Sequence, residues 1–309
     1  MHYAIGDVHG CFDELMNLIK KIENEDSNPI FIFLGDFPDR GPKVHETLEW
    51  MLANVTENGR YQSVRGNHEQ SAIDWFYDEQ RESYTDYAAR VRSSYGCDDR
   101  KIREVIEFYQ TMPLNKKIDI TLTNGKVVPY RICHAAHRNG VSEEELKDIN
   151  LWERDFWGKC DPDELTVCGH TPTIDRDFNL RGAHEDMPGF ICYRNKLINI
   201  DCGRCYPYEN HGLTFLAGIC LETLQEFYDA DAEERVREYA ASDAAEWERR
   251  LLEKLGVTDK ESIIDMVFAN DISSYTEKYG RCTESSYRKK IIEYFGFPED
   301  TPYILERIL

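Results

Sequence analysis

The sequence contains no long apolar run and no excess of basic residues. In its 309 residues no stretch approaches the roughly 20 apolar residues of a membrane span. The first residues also lack the basic start and apolar stretch of a signal peptide, which predicts a cytoplasmic protein. The 37 Lys and Arg against 58 Asp and Glu give a net charge of −21, which argues against nonspecific binding of nucleic acid or anionic membrane.

Internal repeats and low-complexity tracts are also missing, and 41% of the residues are hydrophobic, as in a globular protein. The length corresponds to one large domain or two small ones. The 10 cysteines are scattered, and only 202–205 forms a CxxC motif. Without a second CxxC this motif is weak evidence for a metal or redox site, and we interpret the cysteines as reduced thiols.

The first part of the chain repeats a strand, a polar loop and a helix three times. The polar clusters 7–10, 35–41 and 65–69 each follow a short apolar segment. Asp7 and Asp36 lie 29 residues apart, and Asp36 and Asn67 lie 31 apart, which is the length of one βαβ unit. Because the carboxyl ends of parallel strands meet at one edge of a sheet, we expect the three clusters to converge.

The later part of the chain changes character twice. Residues 70–113 have a helical pattern, and residues 137–160 are irregular or helical. Other segments up to about residue 228 have the pattern of β-hairpins, with predicted turns at Asn124-Gly125 and at 194–196. Two of the later strands end at His134 and His170. From residue 229 onward the pattern is helical. We therefore predict a catalytic domain over 1–228 and a helical extension of unknown role over 229–309.

Asp, Asn or His follows each of five predicted strands. Taken singly, such an Asp is usually a helix N-cap and such a His is usually structural. The joint pattern, with βαβ spacing between the first three clusters, favours a shared site. Carboxylate, amide and imidazole groups are ligands of Mn²⁺, Fe or Zn²⁺, and there are too many of them here for one ion. Two ions that share a carboxylate would use them all.

These motifs resemble those of a known family. GDVHG (6–10), GDFPDRG (35–41), RGNHE (65–69), His134 and GHTP (169–172) look like the motifs of the calcineurin-like metallophosphoesterases, and in particular of their phosphoprotein phosphatase branch. LWER (151–154) and IDCG (200–203) further resemble the bacterial and phage-type serine/threonine phosphatases. The resemblance covers about residues 1–228. It implies an α/β fold, an αββα sandwich of two mixed sheets flanked by helices, with a C-terminal helical appendage.

The resemblance also implies a role for each matched residue. One metal ion is held by Asp7, His9 and Asp36, and Asp36 bridges to a second ion, which Asn67, His134 and His170 complete. The phosphate oxygens are gripped by Arg40, Arg65 and Arg154, and His68 is the general acid, oriented by Asp39. We expect manganese as the native metal, with iron or zinc as alternatives. Hydroxide generated between the two ions is expected to attack phosphorus in line, with no covalent enzyme intermediate.

Two positions depart from the family pattern. Pro38 replaces an aliphatic residue before Asp39, which removes a backbone N–H donor. Ala136 replaces the glycine of the family's His-Ala-Gly motif, so a positive φ at this position would strain the turn. Neither change removes a predicted ligand, although both put the fine geometry in doubt.

Three functions are compatible with these residues. The first is a metal-dependent serine/threonine protein phosphatase, which acts on a phosphorylated protein or small phosphoester. The alternative is a symmetrical diadenosine tetraphosphate hydrolase, a related branch that tends to have GNHD and to lack the partner of the acid; Glu69 and Asp39 therefore favour the phosphatase. The third is a catalytically inactive phosphate-recognition module, which loss of a ligand or of the acid would indicate, and all of them are present.

Overall fold

The structure, a computed structural model, describes residues 1–78, 91–95, 98–154, 163–173, 189–194, 196–206, 214–232, 234–235 and 284–297. Within these residues the strands are β1 (His2–Ile5), β2 (Ile30–Phe33), β3 (Tyr61–Ser63), β4 (Asn115–Thr121), β5 (Val127–Cys133), β6 (Leu165–Cys168), β7 (Cys192–Arg194), β8 (Leu197–Asn199), β9 (Ala217–Cys220) and β10 (Glu226–Tyr228). The helices are α1 (Phe12–Glu25), α2 (Val44–Asn54), α3 (Asn67–Tyr77), α4 (Asp99–Thr111), α5 (Glu143–Trp152) and α6 (Glu284–Phe295).

The first sheet has the strand order β10-β9-β1-β2-β3. β1 pairs with β2 in parallel, with Tyr3 opposite Phe31, and β2 pairs with β3 in parallel, with Ile32 opposite Gln62. The predicted βαβ units are therefore confirmed, and α1 and α2 are their crossover helices. β9 and β10 add to the other side of β1 as an antiparallel hairpin.

The second sheet has the strand order β4-β5-β6-β8-β7. β4 and β5 are the hairpin predicted at Asn124-Gly125, where Gly125 supplies a φ of +82° that favours glycine. β5, β6 and β8 run in parallel, and β7 closes the edge as the antiparallel partner of β8. The carboxyl ends of β5 and β6 thus lie at the same edge of this sheet.

The two sheets pack face to face, and helices cover their outer faces. Side chains alternate along β1 and β2: Ala4 and Ile32 point into a core shared with Tyr130 and Val167 of the second sheet. The neighbouring side chains of β1 and β2, with Phe33 among them, pack instead against α1, α2, α3 and α4. On the far side of the second sheet α5 covers a smaller cluster. The predicted αββα sandwich is confirmed.

Helix α6 belongs to the segment predicted as a helical extension. Its side chains Ile291 and Phe295, with the following Phe297, are buried in the core between the sheets. Lys196, beside β8, places its Nζ 3.5 Å from the ring centroid of Tyr294. This part of the extension therefore packs directly on the sandwich. Residues 236–283 and 298–309 lie outside the described residues, and the domain division at residue 228 stays a prediction.

In the part of the chain that the structure describes, no helix is both long enough and apolar enough to cross a membrane.

Candidate metal centre and active site

The loops at the carboxyl ends of the strands bring the predicted ligands to one place between the two sheets. Asp7 and His9 follow β1, Asp36 follows β2, and Asn67 begins α3 directly after β3. His134 follows β5 and His170 follows β6, so both come from the second sheet. All of these side chains are buried. Buried polar groups need hydrogen-bond or metal partners, so the surroundings of these six groups decide what they can bind.

The backbone of these loops adopts a conformation that side-chain-bearing residues seldom adopt. In the described residues, six non-glycine residues have a positive φ, and five of them belong to the predicted site: His9 (44°), Asp36 (52°), Asp39 (69°), Arg40 (67°) and His170 (64°). Such backbone is costly and concentrates at functional sites. The clustering of positive φ values in these loops is evidence for an active site, and this evidence does not depend on the motifs.

Asp7, His9 and Asp36 form what we call the first ligand group. His9 Nδ1 lies 2.8 Å from the backbone carbonyl of Pro38, which only an N–H can bond, so Nδ1 carries the proton of the neutral ring. The lone pair is then on Nε2, which lies 3.2 Å from Asp36 Oδ2. Asp7 Oδ2 accepts a hydrogen bond of 3.1 Å from the backbone N–H of His170.

Asn67, His134 and His170 form the second ligand group, which shares Asp36 with the first. Asn67 Oδ1 lies 2.8 Å from His134 Nε2 and 3.0 Å from His170 Nδ1. His134 Nε2 lies 3.2 Å from His170 Nδ1 and 3.5 Å from Asp36 Oδ1. The other ring nitrogen of His134 donates to the carbonyl of Leu34 at 2.8 Å, which again leaves the lone pair on Nε2.

The second ligand group fits a cation because acceptor atoms converge in it. Burial lowers the pKa of His134, although the charge of Asp36 opposes this shift, so His134 is neutral at neutral pH. Its Nε2 lone pair then faces the Asn67 carbonyl oxygen and an Asp36 oxygen, and none of these three atoms carries a proton. Burial, His134 and the charge of Arg154 lower the pKa of His170 to about 2, so this ring is neutral as well.

The buried carboxylates also favour bound cations. Burial, together with the charges of Asp201 and Asp36, raises the pKa of Asp7 well above its ordinary value, since these buried carboxylates repel one another. Bound cations relieve that repulsion. Ligand atoms of Asp7, Asp36 and His134 lie within 4.8 Å of one another, as do those of His9, Asp36 and His68. Asp36 belongs to both of these sets, so the buried residues fit two divalent ions close to Asp36, although the two sets cut across the two predicted ligand groups.

The predicted acid, His68, lies beside the first ligand group. Its Nδ1 lies 2.6 Å from Asp39 Oδ2, which leaves Nε2 directed toward the ligand groups, 3.9 Å from Asp36 Oδ2. Burial disfavours the protonated ring, but the charge of Asp36 and the hydrogen bond to Asp39 outweigh it and raise the pKa of His68. A protonated imidazole held at this position can donate to a leaving oxygen.

The guanidinium of Arg40 lies at the mouth of the centre. Its two terminal nitrogens lie 2.9 Å from His9 Nε2 and 3.1 Å from His68 Nε2. It also lies over the ring of Tyr206, 5.3 Å from the centroid, so an aromatic face supports it from the other side. A planar fork of donors at this point suits the oxygens of a phosphate group.

The other two predicted phosphate-binding arginines, Arg154 and Arg65, have different surroundings. Arg154 Nη1 lies 3.4 Å from the hydroxyl of Thr171, beside the second ligand group. Arg65 is not brought into the site: its guanidinium donates to Gln70 Oε1 at 2.9 Å and to the backbone carbonyls of residues 109, 110 and 112 at 2.9–3.0 Å. These bonds tie α3 to the end of α4. The prediction that Arg65 grips phosphate is therefore not supported by its placement, because four of its five donors are already engaged.

Glu69 supports the loop that presents Asp36. In the sequence its only use was to distinguish the phosphatases from the symmetrical hydrolases. Its carboxylate is fully buried and accepts the backbone N–H groups of Asp36 (2.9 Å), Phe37 (2.7 Å) and Gly66 (2.8 Å). It holds the loop that presents Asp36 while it completes the first turn of α3. Burial and the charge of Asp36 raise the pKa of Glu69 to about 7, whereas the N–H donors act in the opposite direction.

Asn150 supports His134 in a similar way, and its place in the middle of a helical pattern gave no signal in the sequence. Its side chain is fully buried, donates to the carbonyl of Ala136 at 2.8 Å and accepts from Asn115 at 2.7 Å. Its backbone carbonyl accepts the N–H of Ala135 at 2.8 Å. The turn that presents His134 is thus held from α5.

Two glycines are required because the backbone passes close to ligands. A Cβ on Gly66 would lie 2.2 Å from Asp36 Oδ1, and a Cβ on Gly169 would lie 2.1 Å from Asp7 Oδ1. Of the two departures from the family pattern, Ala136 has no positive φ, so the strain considered for it does not arise. Pro38 contributes the carbonyl that orients His9. The described cysteines, Cys202 and Cys205 among them, form no disulfide with one another.

The chain is similar in sequence to several known phosphoesterases. It is 27% identical over 238 residues to an asymmetrical bis(5'-nucleosyl)-tetraphosphatase of Bacillus velezensis, a match that covers 68% of this chain and 87% of the relative. It is 32% identical over 148 residues to a symmetrical bis(5'-nucleosyl)-tetraphosphatase of Neisseria meningitidis, covering 47% and 51% of the two chains. A solved metallophosphoesterase of Sphaerobacter thermophilus matches with a TM-score of 0.41 and 18% identity, covering 77% of this chain and 92% of that one.

A match to a family model identifies the family of this chain. Residues 3–198, which hold every predicted ligand and the predicted acid His68, match the family model of the calcineurin-like phosphoesterases. Proteins of this family use a dinuclear metal centre, in agreement with the two ligand groups. The chain therefore belongs to the calcineurin-like phosphoesterases and is a metal-dependent phosphoester hydrolase.

Proposed function

We propose that this protein is a dinucleoside tetraphosphate hydrolase. The observation that carries the proposal is the match to the Bacillus velezensis enzyme, which extends over 87% of that enzyme's length. The chain is also 27% identical over 241 residues to the corresponding enzyme of Bacillus subtilis, which is likewise named as asymmetrical. These relatives favour the function that the sequence analysis held as the alternative to protein phosphatase, although with a different position of cleavage.

The residues of the centre suit attack on a phosphoanhydride. Two divalent ions, when held by the two ligand groups, neutralise phosphate oxygens and make water a stronger acid. Arg40 and Arg154 bind the oxygens of the reacting phosphate and of its neighbour, because a guanidinium stays charged and matches phosphate geometry. His68 Nε2 donates its proton to the oxygen that leaves, and Asp39 keeps the ring aimed and protonated.

The position of cleavage is testable by product analysis. We expect diadenosine tetraphosphate and water to give ATP and AMP, because the asymmetrical relatives match over most of their length, whereas the match to the symmetrical enzyme covers about half of it. Ion-exchange chromatography of a reaction with added Mn²⁺ separates this pair from two molecules of ADP. A product of ADP alone would support symmetrical cleavage, and no cleavage of the dinucleotide would contradict the proposal.

The second candidate is a serine/threonine protein phosphatase. Asp39 beside His68, 2.6 Å away, and Glu69 in place of the aspartate typical of the symmetrical hydrolases favour it. The same preparation should therefore be assayed with a phosphothreonine peptide and with para-nitrophenyl phosphate. A kcat/KM for the peptide well above that for the dinucleotide would reverse the order of the two candidates.

A further inference from the structure

An exposed tryptophan lies beside the second ligand group and has no role in the chemistry described above. Among the described residues the exposed large hydrophobic side chains are Met1, Tyr77, Val127, Trp152 and Tyr294. Only Trp152 among these is in ring contact with a predicted metal ligand: its ring centroid lies 6.4 Å from that of His170, and the two rings are nearly perpendicular at 89°. The side chain of Trp152 is still 44% exposed.

The placement of Trp152 follows from the helix that carries it. It is the last residue of α5, directly after Leu151, which is fully buried. Asn150 of the same helix is fixed in the core by its hydrogen bonds to Asn115 and Ala136. The end of α5 is therefore firmly held while the indole projects past it at the edge of the metal centre. Water-exposed apolar surface is unfavourable, so a rigidly presented indole favours a planar apolar ligand.

A cation contacts the same loop as this indole, because Trp152 contacts His170 and Arg154 contacts Thr171. Arg154, two residues further along the chain, is exposed, and its Nη1 contacts Thr171 at 3.4 Å. Next to the phosphate-binding centre there is thus an aromatic surface followed by a guanidinium. This is the arrangement that binds a base by stacking and its phosphate chain by charge.

We propose that Trp152 is a specificity-determining residue that stacks on a nucleobase of the substrate, while Arg154 binds the phosphate chain leading away from that base. The inference rests on the proposed dinucleotide function and adds to it the residue that distinguishes a nucleotide from a bare polyphosphate. Arg40 and Tyr206 lie on the opposite side of the centre, beside the first ligand group. The guanidinium of Arg40 already covers the ring of Tyr206. One base is therefore assigned to Trp152.

The test compares a substrate with bases and an inhibitor without them. The metal-loaded full chain is assayed as wild type, Trp152→Ala, Trp152→Phe and Tyr77→Ala, the last being a control at another exposed aromatic, 55% exposed at the end of α3. KM and kcat are measured for diadenosine tetraphosphate, and Ki is measured for inorganic tripolyphosphate as a competitive inhibitor. Loss of stacking should raise the KM of Trp152→Ala about tenfold. Its kcat should change less than about twofold, and the Ki of tripolyphosphate should not change.

Trp152→Phe keeps an aromatic face and should restore most of the affinity, whereas a purely structural role of the indole would lower kcat and weaken both ligands together. An unchanged KM in Trp152→Ala, in an assay where the wild type cleaves the dinucleotide, would overturn the stacking role and leave the proposed function intact. A wild-type enzyme that does not cleave the dinucleotide would overturn the proposed function, and the stacking role with it.

Discussion

The ligands of the first sheet and His134 of the second sheet reach the centre by different means. In the first sheet the loops after β1 and β2 place His9 and Asp36 by an unusual backbone conformation, with φ values of 44° and 52°. In the second sheet His134 has no such backbone, and hydrogen bonds hold it: one from Nδ1 to the carbonyl of Leu34 in the first sheet, and others through the Asn150 side chain and backbone. His170, which also comes from the second sheet, has a φ of 64°. Local backbone conformation thus places His9, Asp36 and His170, whereas packing across the sandwich places His134.

Asp36 joins the two sides, so its replacement should have the largest effect. Asp36→Asn removes the carboxylate that both ligand groups share. We expect kcat/KM to fall by more than the roughly 100-fold upper value for residues that only support a ligand. We also expect fewer than two bound ions per chain by elemental analysis. Asp13→Asn, which changes an exposed aspartate paired with Lys43, is the control and should keep its metal and its activity.

Chelation tests the metal dependence of both ligand groups without a mutation. Treatment with EDTA and gel filtration should abolish activity, and added Mn²⁺ should restore it, because both ligand groups act only when occupied. Full activity in a sample shown by elemental analysis to be free of metal would contradict the two-ion assignment.

His68 belongs to the first-sheet side but binds no ion in our assignment. His68→Asn should lower kcat about 10²–10⁴-fold, the usual contribution of a general acid, while the metal content stays at the wild-type value. The loss should be smaller for para-nitrophenyl phosphate, whose leaving group needs less protonation. Loss of an ion together with the activity would instead assign His68 as a ligand, as its proximity to Asp36 permits.

Two arginines that follow strands of the first sheet should give opposite results. Arg40→Ala removes the guanidinium beside His9 and His68 and should raise KM and lower kcat, with about a 10–100-fold loss in kcat/KM. Arg65→Ala removes four hydrogen bonds to Gln70 and the 109–112 backbone, and should lower the free energy of unfolding by about 2–4 kcal/mol. Its kcat/KM at low temperature should stay near wild type. A selective loss of phosphate affinity in Arg65→Ala would restore its predicted role as a phosphate ligand.

The supporting residues of the two sides can be compared directly. Glu69→Gln weakens the clamp on the backbone of Asp36, and Asn150→Ala weakens the clamp on the turn of His134. Each should reduce metal affinity about 10–100-fold, with Glu69→Gln the more severe because a carboxylate that accepts three N–H groups is lost. Metal titration of the apo proteins measures this. Equal affinity in both variants and wild type would show that the ligand loops need no such support.

The smallest effect is expected in the second sheet, away from the centre. Glu164 precedes β6 and pairs with Lys117 of β4 and with Arg131 of β5, which is 2.9 Å away. Burial opposes ionisation, yet these cations lower the pKa of Glu164 below its ordinary value. Glu164→Gln should therefore cost about 1–2 kcal/mol of stability at neutral pH and leave kcat unchanged.

This stability difference should depend on pH in a defined direction. Because the folded-state pKa of Glu164 is depressed, its contribution is complete above the unfolded pKa and is lost as pH falls through the folded pKa. Thermal unfolding of wild type and Glu164→Gln should therefore differ at pH 7 and converge below about pH 4. A difference that persists unchanged into that acidic range would exclude the ion pairs as its origin.

Much of the centre was predictable because its first half obeys local rules. Buried strands followed by Asp, Asn or His at βαβ spacing place Asp7, Asp36 and Asn67 at one sheet edge with no knowledge of the rest of the chain. The hairpins at Asn124-Gly125 and around residue 195 were likewise predictable from turn residues and alternation. The site residues His134 and His170 were found as residues that follow strands, although spacing alone could not bring them to the first sheet.

What the sequence determined by itself is which Asp, Asn and His residues follow strands, the parallel order of the first three strands and the chemistry that such residues allow. Only the tertiary structure decided that Arg40 faces the centre while Arg65 binds the 109–112 backbone, that Glu69 and Asn150 hold the ligand loops, and that Trp152 is exposed at the edge of the site. The physical reason is that a side chain's direction depends on which partners lie within hydrogen-bonding distance. For these residues the partners come from segments that meet only when the two sheets and their helices pack together.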